Sequence, residues 1–163
     1  MNKSDEHFVN IAMEEAKKAS WPFGAVVARD GEIIARAGSG DGKDIEIDPT
    51  AHAEVNAIRR ACVKLNTGNL AGAILYASCE PCALCFGAAW YANIKKIVYG
   101  TSIEDIKKIN KAWGGDLAFP RDHISKTGIH MRGGILKDEI MKMYVIHPYV
   151  INHGEVYRKI KKS

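Results

Sequence analysis

Two cysteines and a histidine are the residues of this sequence best suited to chemistry. Cys82 and Cys85 are three positions apart and directly follow Pro81, a residue that favours the start of a helix. This spacing places both sulfurs on one face of a first helical turn, where the helix N-terminus lowers the pKa of a thiol. His52 supplies a third ligand. Three protein ligands and one open position are typical of a catalytic zinc site, which holds a water molecule, and not of a closed structural one.

Glu54 is the candidate proton carrier of this centre. It lies two residues after His52, more than half a helical turn away, so the two side chains can meet only above a helix end. The combination H-x-E and P-C-x-x-C is a signature of zinc deaminases, in which the glutamate is the general acid and base. The alternatives are a thioredoxin-like redox pair for the cysteines and an ordinary polar first-turn position for His52.

Length and composition predict a single globular domain. The chain has 163 residues, 47% of them apolar and 26% charged, enough to bury a core without disulfides. Its formal net charge of +4 comes largely from the C-terminal basic residues, which are weak grounds for a nucleic-acid partner. Four cysteines, no signal-peptide pattern and no long apolar run predict a cytoplasmic protein with no membrane segment.

Hydrophobic periodicity and turn residues predict the element order αββαβαβα up to about residue 111, and hence a three-layer α/β protein. Ser4 is the expected N-cap of the first helix, and Asp30 and Gly31 predict a tight β-hairpin. A loop is expected over residues 38–48. Asp48 and Pro49 are expected to begin the second helix, and Asn66, Gly68 and Asn69 are expected to end it. The remaining expectations are a central strand at 73–77, a helix at 81–92, a strand at 96–100 and a helix at 103–111.

The C-terminal third has weaker signals. We expect an exposed turn at 113–116, a fifth strand at 129–131 and a helix at 137–144, with Pro148 preventing its continuation. The tail over residues 148–163 is too apolar to be free in solvent, so it is expected to pack on this subunit or on a partner subunit.

The stretches DPTAHAE at 48–54 and CEPCALC at 79–85 resemble the cytidine deaminase superfamily. The resemblance extends over residues 20–100 and, with PFGAVV at 22–27, is strongest to bacterial guanine deaminases and tRNA adenosine deaminases. It implies a three-layer α/β/α fold with a five-stranded mixed sheet, usually in a dimer. It also implies that His52, Cys82 and Cys85 hold Zn²⁺ and that Glu54 shuttles protons.

Two regions depart from the family pattern. The asparagine that binds the base or ribose in the loop after the second strand has no counterpart, and Ser39, Gly40 and Asp41 occupy that region. Residues 133–139 resemble tRNA adenosine deaminases more than the swapped C-terminal segment of guanine deaminases. The two ends of the chain therefore favour different substrates.

Substrate selection is expected from aromatic side chains that stack on a ring and from carboxylates that accept hydrogen bonds from an exocyclic amine. In guanine deaminases a base-binding tryptophan falls near Trp90 and Tyr91. Ordinary packing or loop positions are the alternative for each candidate. The candidates are Phe23, Asp41, Trp90, Tyr91, Trp113 and Asp116.

These observations predict a zinc-dependent hydrolytic deaminase of a free purine base or nucleoside, with guanine favoured, acting as a homodimer. A tRNA-specific adenosine deaminase is the enzymatic alternative, and Lys95, Lys96, Lys107, Lys108 and Lys111 give it only modest support. The alternative of another class is an inactive zinc-containing binding module. Glu54 argues against that alternative, because a structural zinc site has no need of a proton carrier.

Overall fold

The computed structural model describes residues 4–41, 47–110 and 121–153, with the backbone alone described at 121 and 122. The candidates Trp113 and Asp116, the expected turn at 113–116 and the last residues of the tail, 154–163, lie outside these ranges. Within the described ranges, no helix is both long enough and apolar enough to span a bilayer.

The elements alternate in the predicted order up to α4. In chain order they are α1 Asp5–Lys18, β1 Trp21–Arg29, β2 Glu32–Ser39, α2 Ala53–Leu65, β3 Ile74–Cys79, α3 Ala83–Tyr91, β4 Lys96–Thr101, α4 Ile103–Ile109, α5 Arg121–Thr127, β5 His130–Arg132, α6 Lys137–Ile146 and α7 Pro148–His153.

The five strands form one mixed sheet in the order β2-β1-β3-β4-β5. β1 is antiparallel to both β2 and β3, whereas β3, β4 and β5 run parallel. Alternate residues of β1 enter different cores: Ala25 and Val27 pack with α2 and α3, and Val26 and Ala28 pack with α1 and α6. A central strand covered on both faces is expected to be apolar throughout, as this one is. The three-layer α/β/α fold is confirmed.

Several local predictions are confirmed. The Ser4 hydroxyl accepts a hydrogen bond from the His7 N–H and caps α1. Asp30 and Gly31 both have positive φ, at 54° and 79°, which is the conformation of a tight hairpin turn. Asn66 ends α2 in the left-handed conformation.

The predicted starts of the two site helices are wrong. α2 begins at Ala53, because the Asp48 carboxylate accepts the N–H and the hydroxyl of Thr50, at 3.0 and 2.6 Å, and so forms a turn instead of a helix cap. α3 begins at Ala83, so Pro81 lies just before the helix. β2 also continues to Ser39, which removes the first two residues from the expected loop.

The C-terminal region contains two helices that the sequence analysis missed, α5 and α7. Pro148 ends α6, as expected, but it also begins α7. The Tyr149 ring stacks on Trp21 of β1, with ring centroids 4.8 Å apart. Residues 148–153 therefore pack on this subunit.

Candidate metal centre and active site

The three candidate metal ligands lie where the N-termini of α2 and α3 meet. His52 is the N-cap residue of α2, and Cys82 is the N-cap residue of α3. All residues of α2 and α3 lie within the described ranges, and neither side chain makes a capping hydrogen bond within its helix. Cys85 is the third residue of α3 and is buried. The cap positions are therefore used to present ligands.

The distances between the ligand atoms fit a tetrahedral metal site. The His52 Nδ1 atom is 3.6 Å from the Cys82 sulfur and 3.4 Å from the Cys85 sulfur, and the two sulfurs are 3.6 Å apart. Zinc bonds of about 2.3 Å to sulfur and about 2.0–2.1 Å to nitrogen place tetrahedral sulfurs about 3.8 Å apart, and sulfur about 3.6 Å from nitrogen. One histidine and two cysteines with this spacing are a suitable donor set for zinc.

Hydrogen bonding within the cluster shifts the pKa values of its three members in different directions. The hydrogen bond with Cys85, followed by that with His52, lowers the pKa of Cys82 to about 4 although burial opposes this. The shared hydrogen bond with Cys82, together with burial, raises the pKa of Cys85 well above its usual range. The hydrogen bond with Cys82 also raises the pKa of His52. Cys82 is thus the thiolate that ionises first.

Glu54 lies beside this cluster in the first turn of α2. It is 6% exposed, and its carboxyl group interacts electrostatically with His52, Cys82 and Cys85. Burial, with a further contribution from the negative charge of Cys82, raises its pKa to about 6. A carboxyl group that titrates near neutral pH can both accept and donate a proton. Glu54 therefore has the location and acidity of a general acid and base.

Buried hydroxyl groups lie beneath the loop that carries the cysteines, and the sequence analysis missed them. The Gly24 N–H donates to the Ser78 hydroxyl at 3.1 Å, and the Thr101 hydroxyl donates to the Ser78 carbonyl at 3.1 Å. The Tyr144 hydroxyl of α6 lies 3.3 Å from that of Thr101, within hydrogen-bond distance. Together Ser78, Thr101 and Tyr144 form a hydroxyl network that connects α6 to the end of β3.

Glu80, within the cysteine motif, fixes the other side of the same loop. Its carboxylate accepts the Ile103 N–H at the start of α4, at 3.1 Å, and its own N–H donates to the Thr101 carbonyl at 2.8 Å. The loop from Ser78 to Cys82 is therefore held from below and from the side.

Asp41 is engaged within the protein. Its carboxylate lies 2.7 Å from the Arg60 guanidinium and 3.5 Å from the Gly38 N–H. This arrangement connects the end of β2 to α2. The carboxylate of Asp41 therefore forms a structural ion pair in this structure. The same side of α2 carries Asn56, whose amide donates to the Gly38 and Ala51 carbonyls.

Of the described aromatic candidates, Trp90 and Tyr91 lie at the end of α3, whereas Phe23 packs in the core. Trp90 and Tyr91 lie in the last turn of α3, and Trp90 is about 7.5 Å along the helix axis from Cys85. Both are exposed, at 47% and 83%, and their rings contact each other. Phe23 packs edge-on against Tyr144 and is partly buried in the core.

Several known proteins resemble this chain in sequence and in structure. Residues 2–101 match the model of the cytidine and deoxycytidylate deaminase zinc-binding region. A guanine deaminase of Bacillus subtilis is 48% identical over 84 residues, which are 52% of this chain and 53% of that protein. A tRNA-specific adenosine deaminase of Haemophilus influenzae is 34% identical over 142 residues, which are 83% of this chain and 78% of that protein.

A solved structure from a study of A-to-I editing by tRNA:A34 deaminases has a TM-score of 0.67 at 32% identity, covering 84% of this chain and 98% of that one. The chain thus spans about half the length of the guanine deaminase and most of the length of the others. The match to a zinc-binding region and the ligand geometry together identify the metal as zinc.

Proposed function

The chain belongs to the cytidine and deoxycytidylate deaminase family, and from this premise we propose that it is a hydrolytic deaminase of a free purine base or nucleoside, with guanine favoured. The observation that carries the proposal is the location of Glu54, buried in the first turn of α2 beside the metal cluster. A structural zinc site has no use for a buried carboxyl group there, because its ion is fully coordinated by protein ligands.

In the proposed mechanism, His52, Cys82 and Cys85 hold the metal, and zinc when bound lowers the pKa of water from 15.7 toward about 7 to supply the nucleophile. The Glu54 carboxylate accepts the proton of the attacking water and delivers it to the ring nitrogen beside the attacked carbon. Glu54 then takes the proton of the hydroxyl group that has been added to the ring carbon and passes it to the amine, which leaves as ammonia as the ring carbonyl forms. The raised pKa of Glu54 suits both halves of this exchange.

The preference for guanine depends on a similarity that extends over about half of the chain. The 48% identity to the Bacillus subtilis guanine deaminase is confined to 84 residues. Asp116 and Trp113 remain candidates for reading the base, as do Phe23, Trp90 and Tyr91. Because Trp90 and Tyr91 are exposed in the last turn of α3, they are available to a substrate or to a second copy of the chain.

A tRNA-specific adenosine deaminase is the second candidate, and the C-terminal region favours it. The similarity to the Haemophilus influenzae protein extends over 83% of this chain. In addition, α6 packs on its own subunit, with Tyr144 against Phe23 and Lys137 2.8 Å from Asp105. The resemblance implies that guanine deaminases exchange a C-terminal segment between subunits. Such a segment is not needed here to cover Phe23 and Asp105, because α6 of the same subunit does so.

We also propose that the protein is a cytoplasmic homodimer. α3 is apolar along its whole sequence, yet Leu84, Trp90 and Tyr91 are exposed on it. A helix that is apolar all round is normally buried, and a second copy would cover this face. Four unpaired cysteines, all in described segments, suit a reducing compartment.

The test is ammonia release by the zinc-loaded protein from guanine, guanosine, adenine, adenosine, cytosine, cytidine and a tRNA anticodon stem-loop. Turnover of guanine or guanosine alone supports the first candidate, and turnover of the stem-loop alone supports the second. Glu54→Gln is the matched control: it should retain one zinc per chain and lose about 10²–10⁴-fold in turnover. Wild-type turnover by Glu54→Gln would refute the proposed role of Glu54.

A further inference from the structure

The start of α2 lacks the usual means of fixing a helix end. An N-cap side chain normally accepts an N–H of the first turn, but His52 is directed to the metal cluster and makes no such bond in its fully described helix. Asp48, which could have capped the helix, is engaged with Thr50 instead. Some other group must therefore fix the position at which the chain enters His52.

Asn56 is located to do this. It lies one helical turn beyond His52, and its backbone N–H donates to the His52 carbonyl at 2.9 Å. Its side-chain amide donates to the carbonyl of Ala51, the residue before His52, at 3.1 Å, and to the carbonyl of Gly38 at 3.2 Å. One amide group thus fixes both the residue before the ligand and the end of β2.

Neighbouring bonds reinforce this arrangement. The Gly40 N–H donates to the same Ala51 carbonyl at 2.9 Å, so that carbonyl has two donors. Arg60, one turn further along α2, donates to the Arg36 carbonyl at 2.9 Å and pairs with Asp41. Because the Arg60 side chain is about half exposed, its ion pair is worth less than the bonds of the partly buried Asn56.

We propose that Asn56 is a positioning residue for the metal centre: through the Ala51 carbonyl it fixes the location of His52 and so slows the loss of zinc. This inference rests on the ligand set of the proposed function. Groups that orient metal ligands typically change metal affinity or activity about 10–100-fold when removed. A role confined to fold stability would not change zinc release beyond what an equal loss of stability elsewhere in α2 produces.

The experiment compares Asn56→Asp with Ile58→Val, both in the zinc-loaded full chain. Asn56→Asp keeps the side-chain shape but replaces the donor with oxygens that face two carbonyls. Ile58 is buried on the opposite, core side of α2, so its substitution destabilises the same helix without touching Ala51 or Gly38. Asn56→Ala removes the same hydrogen bonds without adding a charge and replaces Asn56→Asp if that variant does not fold.

The readouts are the rate of zinc transfer to an excess of a chromophoric chelator and the absorption spectrum of the cobalt-substituted protein. We expect about tenfold or faster zinc release from the Asn56 variant, with altered cobalt bands, and the wild-type rate from Ile58→Val. The two zinc-release rates are compared after allowance for the loss in Tm of each variant. Equal rates on that basis would overturn the inference. Because neither readout uses turnover, failure to deaminate any substrate would refute the proposed function and leave this result intact.

Discussion

Removing the Tyr144 hydroxyl tests how strongly α6 supports the cysteine loop. Tyr144 is completely buried, and burial raises the pKa of its hydroxyl well above the usual range, so the group is a neutral hydrogen-bonding partner. It hydrogen bonds with the Thr101 hydroxyl. Tyr144→Phe deletes this interaction and keeps the apolar contacts of the ring with Phe23.

The expected loss of stability follows from what the partners keep. A neutral hydrogen bond contributes about 0.5–1.5 kcal/mol net, and an orphaned buried partner costs about 1–3 kcal/mol. In the variant, Ser78 keeps the Gly24 N–H and Thr101 keeps the Ser78 carbonyl, so neither hydroxyl is orphaned. We therefore expect a loss of about 0.5–1.5 kcal/mol, which corresponds to about 2–4 °C in Tm for each kcal/mol.

The assay is urea and thermal unfolding at saturating zinc, with Tyr91→Phe as the control. Tyr91 is 83% exposed, so removal of its hydroxyl should leave stability within about 0.5 kcal/mol of wild type. The double variant with Thr101→Val should cost less than the sum of the single changes, because both remove the same bond. A Tyr144→Phe protein as stable as wild type, or additive losses, would refute the view of these hydroxyls as one network.

Three further predictions concern charge, metal and assembly. Burial alone would raise the pKa of Asp105, but bonds from Lys108 and Lys137 hold that pKa well below its usual range. The ionised Asp105 therefore stabilises the fold above about pH 4, and this stabilisation declines as the pH falls. Asp105→Asn should thus cost about 1–3 kcal/mol at pH 7, a deficit that shrinks toward pH 2 in urea titrations; an unchanged deficit would contradict this. Cys85→Ser should lower the bound zinc per chain, measured by metal analysis after dialysis against chelator, and full retention would exclude Cys85 as a ligand. Trp90→Lys should shift the sedimentation coefficient toward that of a monomer, and an unchanged dimer would remove α3 from the interface.

Local sequence patterns predicted those helix and turn boundaries that depend on residues close together in the chain. Ser4 with its acidic first turn, the Asp30 and Gly31 pair and Asn66 each specify a boundary by their own conformational preference. The metal cluster was also predictable, because the type and spacing of His52, Cys82 and Cys85 admit few other uses.

The sequence-based predictions were wrong or incomplete where tertiary contacts determine the structure. The starts of α2 and α3 were predicted from cap preferences, but ligand residues occupy both caps. The bond between Ser78 and Gly24 joins residues 54 positions apart, and that between Thr101 and Tyr144 joins residues 43 apart. No local pattern reveals such partners. α5 has seven residues and few apolar side chains, so its periodicity is too weak to detect.

The division of the ligands between α2 and α3 makes zinc a crosslink in the folding reaction. Zinc bound by His52 and the cysteines closes a segment of 30 or 33 residues that contains all of β3. By analogy with a disulfide, restricting the unfolded chain over such a length is worth about 3–4 kcal/mol. In the native fold β3 lies in the sheet between β1 and β4, and the ligands flank it in the chain. We therefore expect zinc to bind late in folding, so that scarcity of the metal would raise the unfolding rate and shorten the lifetime of the native protein.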